Sequence, residues 1–318
     1  MESPRARRGR RARPSRRRPL LYTAVAVAAV SGVTAAGTTC VRARAHSGTA
    51  AVSSAATPSA ASSAGAGEED SVEPVTEPAV DRTALLGKAM AAVSVPPGAQ
   101  VSAAVLAMDS GESAAYGDAA FDTASIVKVD ILATLLLQAQ DAGRTLTAAE
   151  RAQATKMIEN SDNASATELW HTIGRADGLD AANKRFGLTA TCGGEGELWG
   201  LTQTTAADQL VLLQQVFGED SRLSAASRTY VRGLMKSVQA DQRWGVSAAA
   251  EGNSWALKNG WLARSTTGLW DVNSIGRITV DGTGCLVAVL SKGTRTQAEG
   301  IALVEAAAKA AVSAFAGE

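Results

Sequence analysis

The chain of 318 residues predicts an α+β fold, a five-stranded antiparallel sheet flanked by helices and interrupted by a helical insertion. Three observations carry that expectation. Two β-type runs stand early, Val101–Met108 and Ser113–Tyr116, with the turn residues Asp109-Ser110-Gly111 between them. Helical patterns fill the middle. Three more runs, Trp255–Trp261, Leu269–Val280 and Cys285–Leu290, then follow with the short spacing of an antiparallel meander. The early and late strands are expected to share one sheet, which makes the helical part an insertion rather than a separate folding unit.

Before Asp81 the chain reads as non-globular. Nine arginines between Arg5 and Arg18 precede an apolar run from Leu20 to about Ala36, and Ala43-Arg44-Ala45 offers small residues for cleavage. This is the three-part pattern of an export signal over residues 1–45, or of a membrane anchor through residues 20–40. Either places the remainder outside the cytoplasm, with the membrane touched only through that anchor. Residues 46–80 are rich in Ala, Ser, Gly, Pro and Glu and lack apolar periodicity, the composition of a disordered linker that reaches across a cell wall.

The folded part is expected over 81–318. Asp81–Val93 has helical spacing and stops at Pro96-Pro97-Gly98. After the two early strands, Ser125–Ala142 is apolar almost all round, as a helix at the centre of a domain is. Thr147–Ile158 and Ala164–Ile173 read as two more helices. A glycine-rich loop, Cys192–Gly200, leads to Thr204-Thr205, which can cap a helix over Ala206–Val216. A last helix, Gln297–Phe315, is expected to pack back on the sheet.

Charge excludes one class of partner. Loss of residues 1–45 removes eleven of the 31 basic residues but only one of the 31 acidic ones, leaving a formal charge of −10. Nucleic acid is therefore not an expected partner, because phosphate binding needs surplus positive charge. Neither Cys-x-x-Cys nor His-Glu-x-x-His occurs, so no metal or other cofactor is expected. Cys192 and Cys285 are the cysteines left after Cys40, a candidate disulfide or two isolated thiols.

Chemistry concentrates in three short motifs. Ser125 begins the sole Ser-x-x-Lys, at the start of the buried helix, with Lys128 one turn later on the same face. Helix N-termini present unpaired N–H groups and positive potential, and burial disfavours the ammonium, so Lys128 can serve as a base toward the hydroxyl. Ser161-Asp162-Asn163 lies between two helices, and Lys258-Asn259-Gly260 lies on the first late strand. Each occurs once, and in that order. Only His46 and His171 are histidines, and there is no Gly-x-Ser-x-Gly elbow, so a serine enzyme built from this chain must use lysine.

This ordered set resembles the signature of class A β-lactamases and penicillin-binding proteins, and the resemblance runs from about Asp81 to the C-terminus. It implies a monomer that acts on a small β-lactam or a peptidoglycan-like acyl substrate. Ser125 would attack the carbonyl, Lys128 would take its proton, and Ser161 would relay a proton to the leaving nitrogen. Asn163 would hold the substrate's amide carbonyl, and Lys258 would add positive charge beside Ser161. With Asn259 and Gly260 it would line the binding strand. The backbone N–H groups of Ser125 and Trp261 would form the oxyanion hole. Asp162 would fix its loop through nearby N–H groups.

The chain departs from that family's pattern at three places. Asn259 replaces a hydroxyl residue that helps bind the β-lactam carboxylate. Trp261 replaces a small residue, its ring facing either the cleft or the sheet's other side. The glutamate–asparagine pair that activates the deacylating water has no full counterpart: Glu197 is the candidate base, Glu195 an equally near alternative, and Gly200 stands where the asparagine is expected. Three functions follow as alternatives. They are a β-lactamase, a D,D-peptidase or esterase relative, and a catalytically weak wall-associated penicillin-binding or sensor domain.

Overall fold

The computed structural model describes residues 80–315, so the readings for 1–45 and, Val80 aside, for 46–80 lie outside the described residues. Helix α1 (Arg82–Ala91) opens the fold, with the Asp81 carboxylate accepting the Ala84 N–H at 2.9 Å. Strands β1 (Gln100–Ala107) and β2 (Ser113–Tyr116) form an antiparallel pair, followed by the short β3 (Phe121–Asp122). A 3-10 turn at Ala124–Ile126 leads into α2 (Val127–Asp141). Helices α3 (Ala148–Glu159), α4 (Asn163–Ile173) and α5 (Arg175–Phe186) come next, then β4 (Gln203–Thr204), α6 (Ala206–Phe217) and α7 (Ala225–Lys236). Strands β5 (Trp255–Ala263), β6 (Trp270–Val280) and β7 (Thr283–Thr294) precede α8 (Gln297–Ser313).

The five long strands lie in the order β2-β1-β7-β6-β5, each neighbour antiparallel, so the early and late strands share one sheet as the pattern predicts. Side-chain alternation divides the core into two layers. Ala103 and Val105 of β1 and Val287 and Val289 of β7 face α1 and α8, where they meet Leu86, Met90, Val304 and Ala308. Ala104, Leu106, Leu286, Ala288 and Leu290 face the helical insertion. A strand covered on both faces carries an unbroken apolar run instead of alternation, which makes Cys285–Leu290 conspicuous in the sequence.

The same division corrects one expectation. Cys285 lies in the layer under α8, whereas Cys192 bridges Gln203 beside β4, where the adjacent Gly193 packs against Ala176 of α5. The sheet separates the two positions and no Cys192–Cys285 disulfide forms.

In the insertion α2 is buried on all sides, and the other helices wrap it. Helix α3 starts on a reciprocal capping box: Thr147 Oγ1 accepts the Glu150 N–H at 3.2 Å, and Glu150 accepts the Thr147 N–H at 2.7 Å. Thr205 caps α6 as expected. Helices α5 and α7 were not foreseen. Each buries a thin apolar stripe, Leu179, Ala182 and Phe186 in α5 and Val231, Leu234 and Met235 in α7, within otherwise polar sequence. Among the described residues no helix is long and apolar enough to cross a membrane.

Candidate active site

The site sits where the turn ahead of α2 meets β5. Ser125 occupies that 3-10 turn rather than α2 itself, one residue after Ala124, whose φ is +47°. Ser161 has a φ of +54°, so two side-chain-bearing residues in the disfavoured left-handed region belong to the site. Contacts hold the turn. Asn273 of β6, fully buried, donates its amide to the Asp122 and Thr123 carbonyls at 2.9 and 3.0 Å and accepts the Ser291 N–H at 3.1 Å. Thr123 donates its N–H to the Thr202 carbonyl at 2.9 Å. Gly260 lets β5 run directly against the turn, since a Cβ there would stand 2.7 Å from Ser125 N and 2.8 Å from Ile126 N.

Lys128 is the hub. Its Nζ lies 2.9 Å from Ser125 Oγ, 2.7 Å from the Ser161 carbonyl, 3.2 Å from Ser161 Oγ and 2.7 Å from Asn163 Oδ1. The side chain is buried, and burial lowers its pKa to about 7 against an opposing pull from Asp162. Asp162 caps α4 by accepting the Ser165 N–H at 2.7 Å, and its hydrogen bonds to Ser165 are the main reason its carboxyl is held below the usual range.

Lys258 approaches the same serine from the sheet. Its Nζ donates to Ser161 Oγ at 3.0 Å, to the Asn259 carbonyl at 2.8 Å and to Gln242 Oε1 at 3.4 Å. Burial, and then the charge of Lys128, push its pKa well below the ordinary lysine value. Strand alternation turns the next residue away. The Asn259 amide donates to the Gln242 and Trp244 carbonyls at 2.8 and 2.9 Å, and the Trp261 ring packs on Trp244 with centroids 5.9 Å apart. Lys258 and Gly260 therefore face Ser125, while the side chains of Asn259 and Trp261 face the other side of the sheet.

Glu197 is not brought to this cluster. Its exposed carboxylate binds His171 Nε2 at 2.6 Å and Arg175 Nε at 3.0 Å, over α4 and α5, and the His171 hydrogen bond leads in lowering its pKa. The side chain that the loop sets beside Lys128 is Trp199, whose ring centroid lies 4.9 Å from Nζ.

A family model described as the β-lactamase enzyme family matches residues 140–315, more than half of the chain. The chain belongs to this family. Ser161 and Lys258 fall inside the matched segment, and Ser125 and Lys128 stand just ahead of it. Solved structures of the same fold include PBP-A, at TM-score 0.63 and 21% identity over 73% of this chain and 96% of that one. A class A β-lactamase from Bacteroides cellulosilyticus DSM 14838 has TM-score 0.62 and 15% identity, over 74% of this chain and 98% of that one. A β-lactamase from Chitinophaga pinensis DSM 2588 has TM-score 0.62 and 16% identity, over 74% and 100%. At such identities the likeness establishes the fold alone. No curated protein matches.

Sequence reasoning did not single out Trp199, Gln242 or Asn273. Each reaches the site through tertiary packing of a loop or strand, with no local motif to announce it. The nearest signal was the glycine-rich run before Trp199, which marks a tightly folded loop without saying what its side chains cover.

Proposed function

We propose that this β-lactamase-family chain is a serine hydrolase that forms an acyl-enzyme on Ser125, with β-lactams or peptidoglycan-like acyl compounds as its small-molecule substrates. The observation that supports this most is the single buried amine of Lys128 between two hydroxyls, 2.9 Å from Ser125 Oγ and 3.2 Å from Ser161 Oγ. With its pKa near 7, Lys128 is substantially unprotonated at neutrality and can take the Ser125 proton as the Oγ–carbonyl bond forms. The N–H groups of Ser125 and Trp261 are assigned to the developing oxyanion. As the amide C–N bond breaks, Ser161 gives its proton to the leaving nitrogen and regains one from Lys128. Lys258, which donates to Ser161 Oγ at 3.0 Å, is assigned to hold that hydroxyl for the transfer, and Asn163 is assigned to the substrate amide. Water then cleaves the ester, its proton passing to Lys128 and on to Ser125 Oγ.

The second half of the cycle decides the substrate. Glu197 is held by His171 and Arg175, so hydrolysis is assigned to Lys128 without its help and a β-lactam adduct is expected to persist. That favours a penicillin-binding, D,D-peptidase-like enzyme. Membership of the β-lactamase family supports the second reading, sustained β-lactam hydrolysis. The basic and apolar N-terminus supports a location outside the cytoplasm for either activity. One experiment tests both readings: incubate the protein with a chromogenic cephalosporin and follow covalent mass and colour. A lasting adduct supports the first reading and sustained turnover the second. Ser125→Ala is expected to abolish both, and an adduct that survives it removes Ser125 as nucleophile.

A further inference from the structure

Trp199 stands on a 3-10 turn, Trp199–Leu201, whose position is fixed from two directions. Toward Ser125, β3 pairs with β4 through Phe121–Thr204 and Asp122–Gln203, and Thr123 bonds to Thr202, so the turn is laced to the segment that carries the nucleophile. Toward α4, the indole Nε1 donates to Thr167 Oγ1 at 3.1 Å. Between these anchors the ring lies over Lys128 Nζ. The geometry points to Trp199 as a positioning residue for acylation: its indole walls the Lys128 amine off from water and holds it in register with Ser125 Oγ.

The ring acts on Lys128 in two opposed ways. Its π face attracts an ammonium, while its bulk excludes water and so disfavours the charged form. Burial is the leading cause of the lowered Lys128 pKa, and the indole is one of the groups that bury the amine, so exclusion is the effect assigned to it. The charged groups that act across this amine are Asp162, from the start of α4, which opposes the lowering, and Lys258 of β5. The Ser161 carbonyl and Asn163 Oδ1 close other sides. Cutting the indole back to a methyl group admits water, and the amine returns toward an ordinary lysine.

This inference rests on Lys128 being the base for Ser125, so its test includes a readout that needs no substrate. In the full chain labelled with [ε-13C]lysine, NMR follows the Lys128 titration, assigned through Lys128→Met. Trp199→Ala is expected to raise the midpoint by about one unit or more. Its acylation by a fluorescent penicillin should fall about tenfold at about pH 7 and recover at about pH 10. Trp199→Phe keeps a wall and should restore most of both. Thr167→Val loosens the indole and should give a smaller shift of the same sign. A purely structural role lowers the rate equally at every pH. An unmoved Lys128 midpoint in folded Trp199→Ala overturns the inference, and if that variant fails to fold, an unmoved midpoint in Thr167→Val does so. Absence of any adduct on the unmodified chain counts against the Ser125 reading instead, and the titration still judges Trp199.

Discussion

Four oxygens lie within 3.2 Å of Lys128 Nζ, and an ammonium has three N–H bonds to give them. The neutral amine also makes three hydrogen bonds, two as donor and one as acceptor, and leaves Ser161 Oγ to Lys258 Nζ, which donates to it at 3.0 Å. Its two N–H bonds go to the Ser161 carbonyl and Asn163 Oδ1, atoms that only accept, each at 2.7 Å. Its lone pair is left for the Ser125 hydroxyl, which then donates to it. Acylation therefore needs Lys128 unprotonated, and with its pKa lowered to about 7 the rate is expected to rise as pH increases through about 7 and level off above. Stopped-flow acylation across a pH series checks that sign. Glu197 gives the opposite kind of prediction. Because His171 and Arg175 hold its carboxylate at the surface, Glu197→Gln should leave the adduct lifetime unchanged within about twofold, as mass spectrometry would read it.

Between α2 and α5 lies a buried pair that the reaction does not use. Asn183 donates to Asp130 Oδ2 at 3.0 Å, while Asp130 Oδ1 and Asn183 Oδ1 have no partner. Burial leads in raising the Asp130 pKa to about 7, aided by Asp180 of α5 and Asp208 of α6 and opposed by the Asn183 bond. A protonated Asp130 can donate to Asn183 Oδ1, closing a two-bond ring that satisfies both orphans. The folded state then holds a proton that the unfolded chain releases near 3.8, so this contribution to stability is full below about 4 and is lost as pH rises through about 7. Asp130→Asn supplies the same donor without titrating. It should raise Tm at about pH 8, change it little at about pH 4, and flatten the profile between. A Tm gain equal at both values would count against the shared proton.

At the scale of the molecule, the sheet positions the Ser125 turn, and Gly260 is where that position is most exposed to change. Gly260→Ala would put a methyl 2.7 Å from Ser125 N, and acylation is expected to fall about a hundredfold while circular dichroism keeps the native signature. The sequence announced this arrangement unevenly. Ser125 with Lys128, Ser161 with Asn163, and Lys258 with Gly260 were legible because each set is held at fixed spacing on one element. The sheet was legible because β1 and β7 are apolar on both faces. Helices α5 and α7 were not, since their buried stripes are too thin to stand out from charged surroundings. The outward turn of Asn259 and Trp261 depends on which face of β5 meets the Ser125 turn, and that is settled only when the sheet packs.

The pairing of β1 with β7 has a consequence in time. Val101 lies opposite Ser291, so the first long strand waits for a partner that follows the whole helical insertion in the chain. Contacts so distant along the chain form late and slowly. The Ser125 turn, held by Asn273 of β6 and Gly260 of β5, cannot be completed on a nascent chain that stops at α7. The turn that carries Ser125 thus takes its final shape only after β5 and β6 have emerged.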